Sequence, residues 1–221
     1  MASVPSFSIR RAALFSFPDA LLVNAYPQGG KGEEKISAFR DLLSALTARL
    51  GLSWKWRVVN ENGFSEPAAA VVLSGSPRLI GRGEYSGPLL AWLFRCRIPF
   101  LGVCYGHQLL ALSFGGTVSS ASGDGCHGPE EIHLRRMDAI FSRFPSCFKM
   151  VESHREAVVF NGRLSRNFLL LAVNGRGGVE AIRHCRRPLW GVQFHPERSG
   201  ATGEALIGNF LRAAWRQTSH E

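Results

Sequence analysis

The stretch Ile98–Gln108 (IPFLGVCYGHQ) constrains this chain more than any other. An apolar run, Ile98 to Val103, reads as a buried strand. Gly102-Val103-Cys104-Tyr105-Gly106 follows on it at once, and a helix is predicted from Tyr105 to about Phe114. A sharp strand-to-helix turn holds its central residue in a strained backbone, and flanking glycines remove side chains that would clash there. The Cys104 thiol should then stand at the carboxyl end of a strand, where open α/β sheets place their sites. The partial positive charge of a helix N-terminus favours thiolate. The free N–H of Tyr105 is a donor for an oxyanion. A buried apolar cysteine in a tight turn would use the same letters. The strand before and the helix after favour the nucleophile.

A thiol nucleophile needs a base, and the base needs a third group to fix its tautomer. Leu189-Trp190-Gly191-Val192-Gln193-Phe194-His195-Pro196-Glu197 supplies both. His195 ends an apolar strand and so should emerge at an edge of the sheet. Positions 195 and 197 share a face in extended backbone. Pro196 fixes its own φ and biases His195 towards that extended region. Glu197 is therefore within reach of the imidazole.

The rest of the chain alternates short apolar runs with helical stretches. Strands are predicted at Ala20–Asn24, Trp54–Val59 and Ala68–Leu73, the last running into Ser74-Gly75-Ser76-Pro77. Helices are predicted at Glu33–Leu50, where Ile36, Phe39, Leu42, Leu43, Leu46 and Leu50 keep a 3.6 period, and at Pro88–Cys96. Gly51 ends the first of these. Near-continuous apolar strands between helices indicate a mostly parallel sheet covered on both faces. Beyond Gly116 the segments near Glu131–Leu134, Phe148–Val151, Phe168–Val173, Val179–Ile182 and Leu189–Phe194 read as added antiparallel strands. A last helix covers Gly203 to about Arg216. The expected organisation is one α/β domain over 19–221 behind an N-terminal extension over 1–18.

The net charge of +9 comes from 22 Arg against 4 Lys. The arginines form scattered pairs, such as Arg10–Arg11 and Arg186–Arg187, without interleaved aromatics, which argues against a nucleic-acid site. No apolar stretch reaches the roughly 18 residues that cross a bilayer. Five cysteines, an odd number with no C-x-x-C pair, argue against a disulfide framework and a structural zinc site and fit reduced, cytoplasmic thiols. Residues 1–18 carry Arg10, Arg11, four serines and no acid, a weak likeness to an organelle transit segment; a ragged extension is the expectation. Cys126-His127, within Gly123–Gly128, reads as a turn rather than a metal site.

Together, GVCYGHQ (102–108) and VQFHPE (192–197) resemble the class I, triad-type glutamine amidotransferases, a family that includes the glutaminase domains of GMP synthase, anthranilate synthase and carbamoyl-phosphate synthetase. The order strand, SGSP loop, helix, strand, nucleophile, HPE and final helix follows that family over most of the chain. The resemblance implies a flavodoxin-like α/β fold in which Cys104 forms a γ-glutamyl thioester with glutamine. His195 would shuttle the proton, and Glu197 would orient His195. It implies an oxyanion hole from Tyr105 and the Gly75–Ser76 turn, and substrate contacts at Gln108 and in the loop carrying Ser153 and His154. It implies no metal and no cofactor.

Many members of the family have Gly-Gly-Pro where this chain has Gly75-Ser76-Pro77. A Cβ at Ser76 would be strained if that backbone needed positive φ. The SGSP spelling resembles standalone GMP synthase-like proteins and also γ-glutamyl peptidases, and a fused ATP pyrophosphatase behind the last helix is not expected. Ammonia delivery to a separate synthetase subunit is therefore the leading expectation. A standalone γ-glutamyl hydrolase or peptidase with water as acceptor is the alternative, and a catalytically silent scaffold is the third.

Overall fold

The computed structural model describes residues 19–61, 67–120 and 125–218. The expectations for residues 1–18 lie outside them. Nine strands form one sheet: β1 (Asp19–Asn24), β2 (Lys55–Asn60), β3 (Val71–Leu73), β4 (Phe100–Val103), β6 (Cys126–Leu134), β7 (Cys147–His154), β9 (Phe168–Asn174), β10 (Val179–His184) and β11 (Leu189–Val192). Their order is β2-β1-β3-β4-β11-β10-β9-β6-β7. The pairings from β2 to β11 are parallel, and those from β11 to β7 are antiparallel. The parallel half has the 2-1-3-4-5 order of flavodoxin-like folds. β5 (Thr117–Ser120) and β8 (Glu156–Val159) make a separate antiparallel pair that the sequence pattern does not signal.

The inner parallel strands β1, β3, β4 and β11 are buried on both faces, which accounts for their apolar runs, whereas the edge strand β2 is largely exposed. Ala20 and Leu22 of β1 point into one core layer and Leu21 and Val23 into the other. The first layer packs under α1 (Lys31–Arg49) and α5 (Gly200–Thr218); the second holds α2 (Gly87–Arg95) and α3 (Tyr105–Ser113). The one-turn α4 (Gly162–Ser165) precedes β9. α3 is buried continuously from Tyr105 to Ala111. Among the described residues no helix is long and apolar enough to cross a membrane.

The expected strand Ala68–Leu73 shortens to Val71–Leu73; Ala68, Ala69 and Ala70 lead into it buried in the core, with the Ala69 N–H still donating to the Asp19 carbonyl (2.9 Å). Phe194 likewise leaves the strand and packs in the core.

Candidate active site

β4 ends at Val103, and α3 begins two residues later with Cys104 as its N-cap, at φ 51 and ψ −102. This left-handed backbone is costly for a residue with a Cβ, on the order of 1–3 kcal/mol. It is held by the Cys104 N–H donating to the Val192 carbonyl (2.8 Å) and the Gln108 N–H donating to the Cys104 carbonyl (3.0 Å). The two glycines of the elbow are required by close packing. A Cβ on Gly102 would collide with the Gly106 carbonyl, and one on Gly106 would sit 2.7 Å from the Leu73 carbonyl oxygen. α3 thus lies directly on β3 and β4.

His195 follows β11 and opens a 3₁₀ turn, Pro196–Arg198. Its N–H donates to the Val151 carbonyl (2.8 Å), which ties the turn to β7. Its Nδ1 lies 2.7 Å from Glu197 Oε1. Nε2 is buried and has no hydrogen-bond partner among the described residues. Burial opposes the charged imidazole, but the negative charge on Cys104 and the bond to Glu197 outweigh it and push His195 up to about 10. The two side chains lie close enough to couple electrostatically. Gly75 marks that proximity, since a Cβ there would lie 2.7 Å from His195 Cε1 and 3.6 Å from Cys104 Cβ.

The SGSP loop closes the same corner. Ser76 has no positive φ, so its Cβ causes no strain. Its hydroxyl donates to the Ala25 carbonyl (2.8 Å) and accepts from the Arg78 N–H (3.2 Å). A serine is thus a tie here where a second glycine would leave the loop freer. The N–H groups of Gly75 and Ser76 donate to no acceptor among the described residues. The Tyr105 N–H belongs to the first turn of α3, where no intrahelical acceptor exists.

A cleft of about 160 Å³ opens beside the sulfur, lined by Ser76, Arg78, Cys104, Gln108, Ser153 and Arg155 among others. Gln108 is buried, and its Nε2 donates to the Glu156 carbonyl (2.6 Å) and to Gln193 Oε1 (3.2 Å). Arg78 is ion-paired with the buried Glu61. Arg155 Nη2 donates to the Pro77 carbonyl (3.0 Å).

Ser153 and His154 stand at the end of β7, not in a loop. β6 extends back to Cys126 and pairs with them, so the chain stays extended to that point. Ser153 meets the thiol through its main chain, with Cys104 Sγ 3.8 Å from the Ser153 carbonyl. His154 is buried and lies between Glu152 Oε2 (3.0 Å) and the Glu156 carbonyl (2.9 Å). Cys126 and His127, expected in a turn, begin β6; residues 121–124 lie outside the described ones.

Two site residues escape the sequence reading. Gln193 is fully buried, and its Nε2 points at Cys104 Sγ across 3.6 Å. The alternation that joins 195 to 197 also places 193 on that face, which was the available signal. Glu156 accepts from the N–H groups of Ile80 (2.7 Å) and Gly81 (2.9 Å) and so pins the far wall of the cleft. A glutamate after a histidine and an arginine carries no pattern that would reveal this.

A buried thiol on a strand-to-helix elbow, with a histidine–carboxylate pair in the turn just beyond the neighbouring parallel strand, fits the α/β architecture of the class I glutamine amidotransferases. The model of the family Glutamine amidotransferase class-I matches residues 38–214, and the chain belongs to that family. Its curated relatives include a glutamine-hydrolyzing GMP synthase subunit from Methanopyrus kandleri, 36% identical over 148 residues (66% of this chain, 76% of the relative). The Methanococcus aeolicus protein of the same name is 32% identical over 143 residues (64% and 72%). Among solved structures, a Thermoplasma acidophilum protein provisionally assigned as a GMP synthase subunit superposes with TM-score 0.75 at 24% identity, covering 92% of this chain and 98% of the other. A Thermotoga maritima glutamine amidotransferase gives 0.66 at 17% identity with the same coverage.

Proposed function

We propose that this chain is the glutaminase subunit of a two-subunit synthetase of the GMP synthase kind, with Cys104, His195 and Glu197 as its catalytic triad. The carrying observation is the convergence of the Cys104 elbow and the His195–Glu197 pair around Gly75. The sulfur attacks the side-chain amide carbon of glutamine, and the thiol proton resides on His195 Nε2. The oxyanion draws on the N–H groups of Tyr105, Gly75 and Ser76, which donate to no acceptor among the described residues. Collapse breaks the C–N bond, His195 returns its proton to the departing ammonia, and a γ-glutamyl thioester remains on Cys104. Water, deprotonated by His195, releases glutamate. Glu197 holds the Nδ1–H tautomer throughout.

Gln108, Ser153 and His154 stand along the cleft as the substrate-holding set. The names of the Methanopyrus and Methanococcus relatives support delivery of the ammonia to a separate synthetase subunit.

The test is labelling with a glutamine-like chloroketone, mapped by mass spectrometry with glutamine as protecting ligand. The expected result is selective, protected modification of Cys104, with glutaminase activity that rises when the synthetase subunit is added. Even labelling of all five cysteines would overturn the reading. Protected Cys104 labelling with turnover of γ-glutamyl peptides instead of glutamine would transfer the chain to the peptidase alternative.

A further inference from the structure

Arginine pairs that stand apart in the sequence meet at one corner of the fold. Arg95 ends α2 and Arg97 follows it, Arg163 lies in α4 with Arg166 just behind, and Arg186 and Arg187 form the turn from β10 to β11. Phe114, just past α3, joins these segments. Its ring packs on Phe94, Phe168 and His184, with centroids 5.4, 5.1 and 5.0 Å away. The Arg187 guanidinium lies over the same ring at 5.4 Å, and its Nη1 donates to the Phe94 carbonyl (2.6 Å). A Cβ on Gly115 would sit 3.7 Å from Arg163 Cδ. The Cys185 N–H donates to the Asn167 carbonyl (2.8 Å), which brings the arginine turn against the segment that carries Arg166. His184 Nδ1 accepts from the N–H groups of Arg186 and Arg187 (3.1 Å each) and fixes that turn.

No acid answers this charge. Segments 87–120, 157–179 and 181–196, which build the corner, contain neither Asp nor Glu. Arg187 is half-buried and the other five arginines are exposed. None of the six is ion-paired among the described residues, whereas Arg40, Arg49, Arg57, Arg78, Arg176 and Arg183 each meet a carboxylate. Burial first, and then the charges of Arg187, Arg186 and Arg97, hold His184 down to about 4, so the imidazole among them stays neutral. Like charges gathered in this way repel one another, and an anionic partner removes that cost. The corner lies at the end of the sheet where β4 and β11 begin, away from Cys104 beyond the carboxyl end of β4. A partner seated here leaves the thiol cleft open.

We propose that this arginine corner docks an acidic protein segment, a run of carboxylates interrupted by an apolar side chain. Guanidinium forks match carboxylates in bidentate pairs. Phe94 stands among them with 53% of its surface exposed, and arginine beside an exposed aromatic is the composition that protein interfaces favour. A single-stranded nucleic acid would call for a series of stacking platforms. Here Phe114 and Phe168 are buried against each other, which leaves Phe94 as the exposed ring of the cluster. The docking surface is independent of the glutaminase reading above, since it uses no residue of the thiol site.

The probe is a fluorescein-labelled peptide of glutamates around a central leucine, followed by fluorescence anisotropy at low salt. The double variant Arg95→Glu, Arg186→Glu should bind it about tenfold more weakly than wild type. The double variant Arg212→Glu, Arg216→Glu, on α5 in the other layer, has the same net charge and should bind within about twofold of wild type. Equal weakening in both would mean that net charge alone attracts the peptide and would overturn the site, as would no binding by wild type. Tighter binding of a thymidine oligonucleotide of equal charge would overturn the choice of partner in favour of nucleic acid. If circular dichroism shows the charge-reversed variant unfolded, Arg95→Gln, Arg186→Gln repeats the comparison with neutral side chains. Arginine modification by phenylglyoxal, mapped on wild type by mass spectrometry, locates the peptide without any variant. The peptide should protect Arg95, Arg97 and Arg186 and leave Arg212 and Arg216 reactive; the reverse pattern would overturn the proposal.

Discussion

His195 Nδ1 and Glu197 Oε1 are 2.7 Å apart, while Nε2 on the other side of the ring has no partner among the described residues. The ring is therefore anchored at one nitrogen and free at the other, the arrangement a base needs. Glu197→Gln keeps the size of the anchor and removes its charge and its fixed preference for an N–H. The expected loss in kcat is about 10²- to 10⁴-fold. Steady-state ammonia release checks it, and an unchanged kcat would remove Glu197 from the mechanism.

The same geometry makes stability depend on pH. Folding raises His195 from 6.5 to about 10: burial acts against the shift, and the charge on Cys104 and the bond to Glu197 drive it. The stabilisation from protonated His195 is complete below pH 6.5 and is lost as pH rises through about 10. Cys104→Ala removes the largest of the raising causes. Thermal melts across that window should show a steeper loss of Tm in wild type than in Cys104→Ala. Parallel curves would mean that thiol and imidazole are not coupled.

Cys104 itself carries backbone strain. At φ 51 a glycine loses nothing, whereas alanine retains the Cβ that makes this conformation costly. Both Cys104→Ala and Cys104→Gly should abolish glutamine turnover. Cys104→Gly should be the more stable of the two by about 1 kcal/mol, the strain exceeding the entropy glycine adds to the unfolded chain. Urea titration measures the difference. Alanine equal to glycine would show the elbow to be unstrained.

The elbow was readable because two steric demands, Gly102 against Gly106 and Gly106 against Leu73, leave only glycine, so the letters record the packing. His195 and Glu197 were readable because alternation along an extended chain is a local rule. The contacts of Ser153, His154 and Glu156 were not local. β7 lies at the far edge of the strand order, yet its end returns to the thiol through β6 and the His195 turn, a path that no periodicity in the chain encodes. The Ser153 contact is made by a carbonyl oxygen, which every residue type has. The inner parallel strands β1, β3, β4 and β11 gave clear apolar runs because both faces are buried, whereas β5, with the polar sequence TVSS and largely exposed, gave none.

Gly75 is the point where loop, thiol and imidazole meet, and a methyl group there tests whether their spacing matters. The added Cβ of Gly75→Ala would fall 2.7 Å from His195 Cε1, closer than any real Cβ contact, and 3.6 Å from Cys104 Cβ, an ordinary contact. Either the loop or the ring must move. The loop is held by the Ala25 N–H donating to Ser74 Oγ (3.0 Å) and by Ser76 Oγ donating to the Ala25 carbonyl (2.8 Å). The ring is held at Nδ1 by Glu197, and Nε2 has no partner among the described residues to resist a swing. The imidazole should therefore yield, turning Nε2 away from the sulfur while the sheet and both core layers stay intact. Displacement of a reacting group by about 1 Å costs on the order of 10²-fold. Gly75→Ala should thus lower kcat for glutamine about 100-fold and change Tm little. Wild-type kcat in this variant would mean that the ring has room the structure does not show. A collapse of Tm instead would mean that the loop gave way first, and Gly75 would then count as a packing residue only.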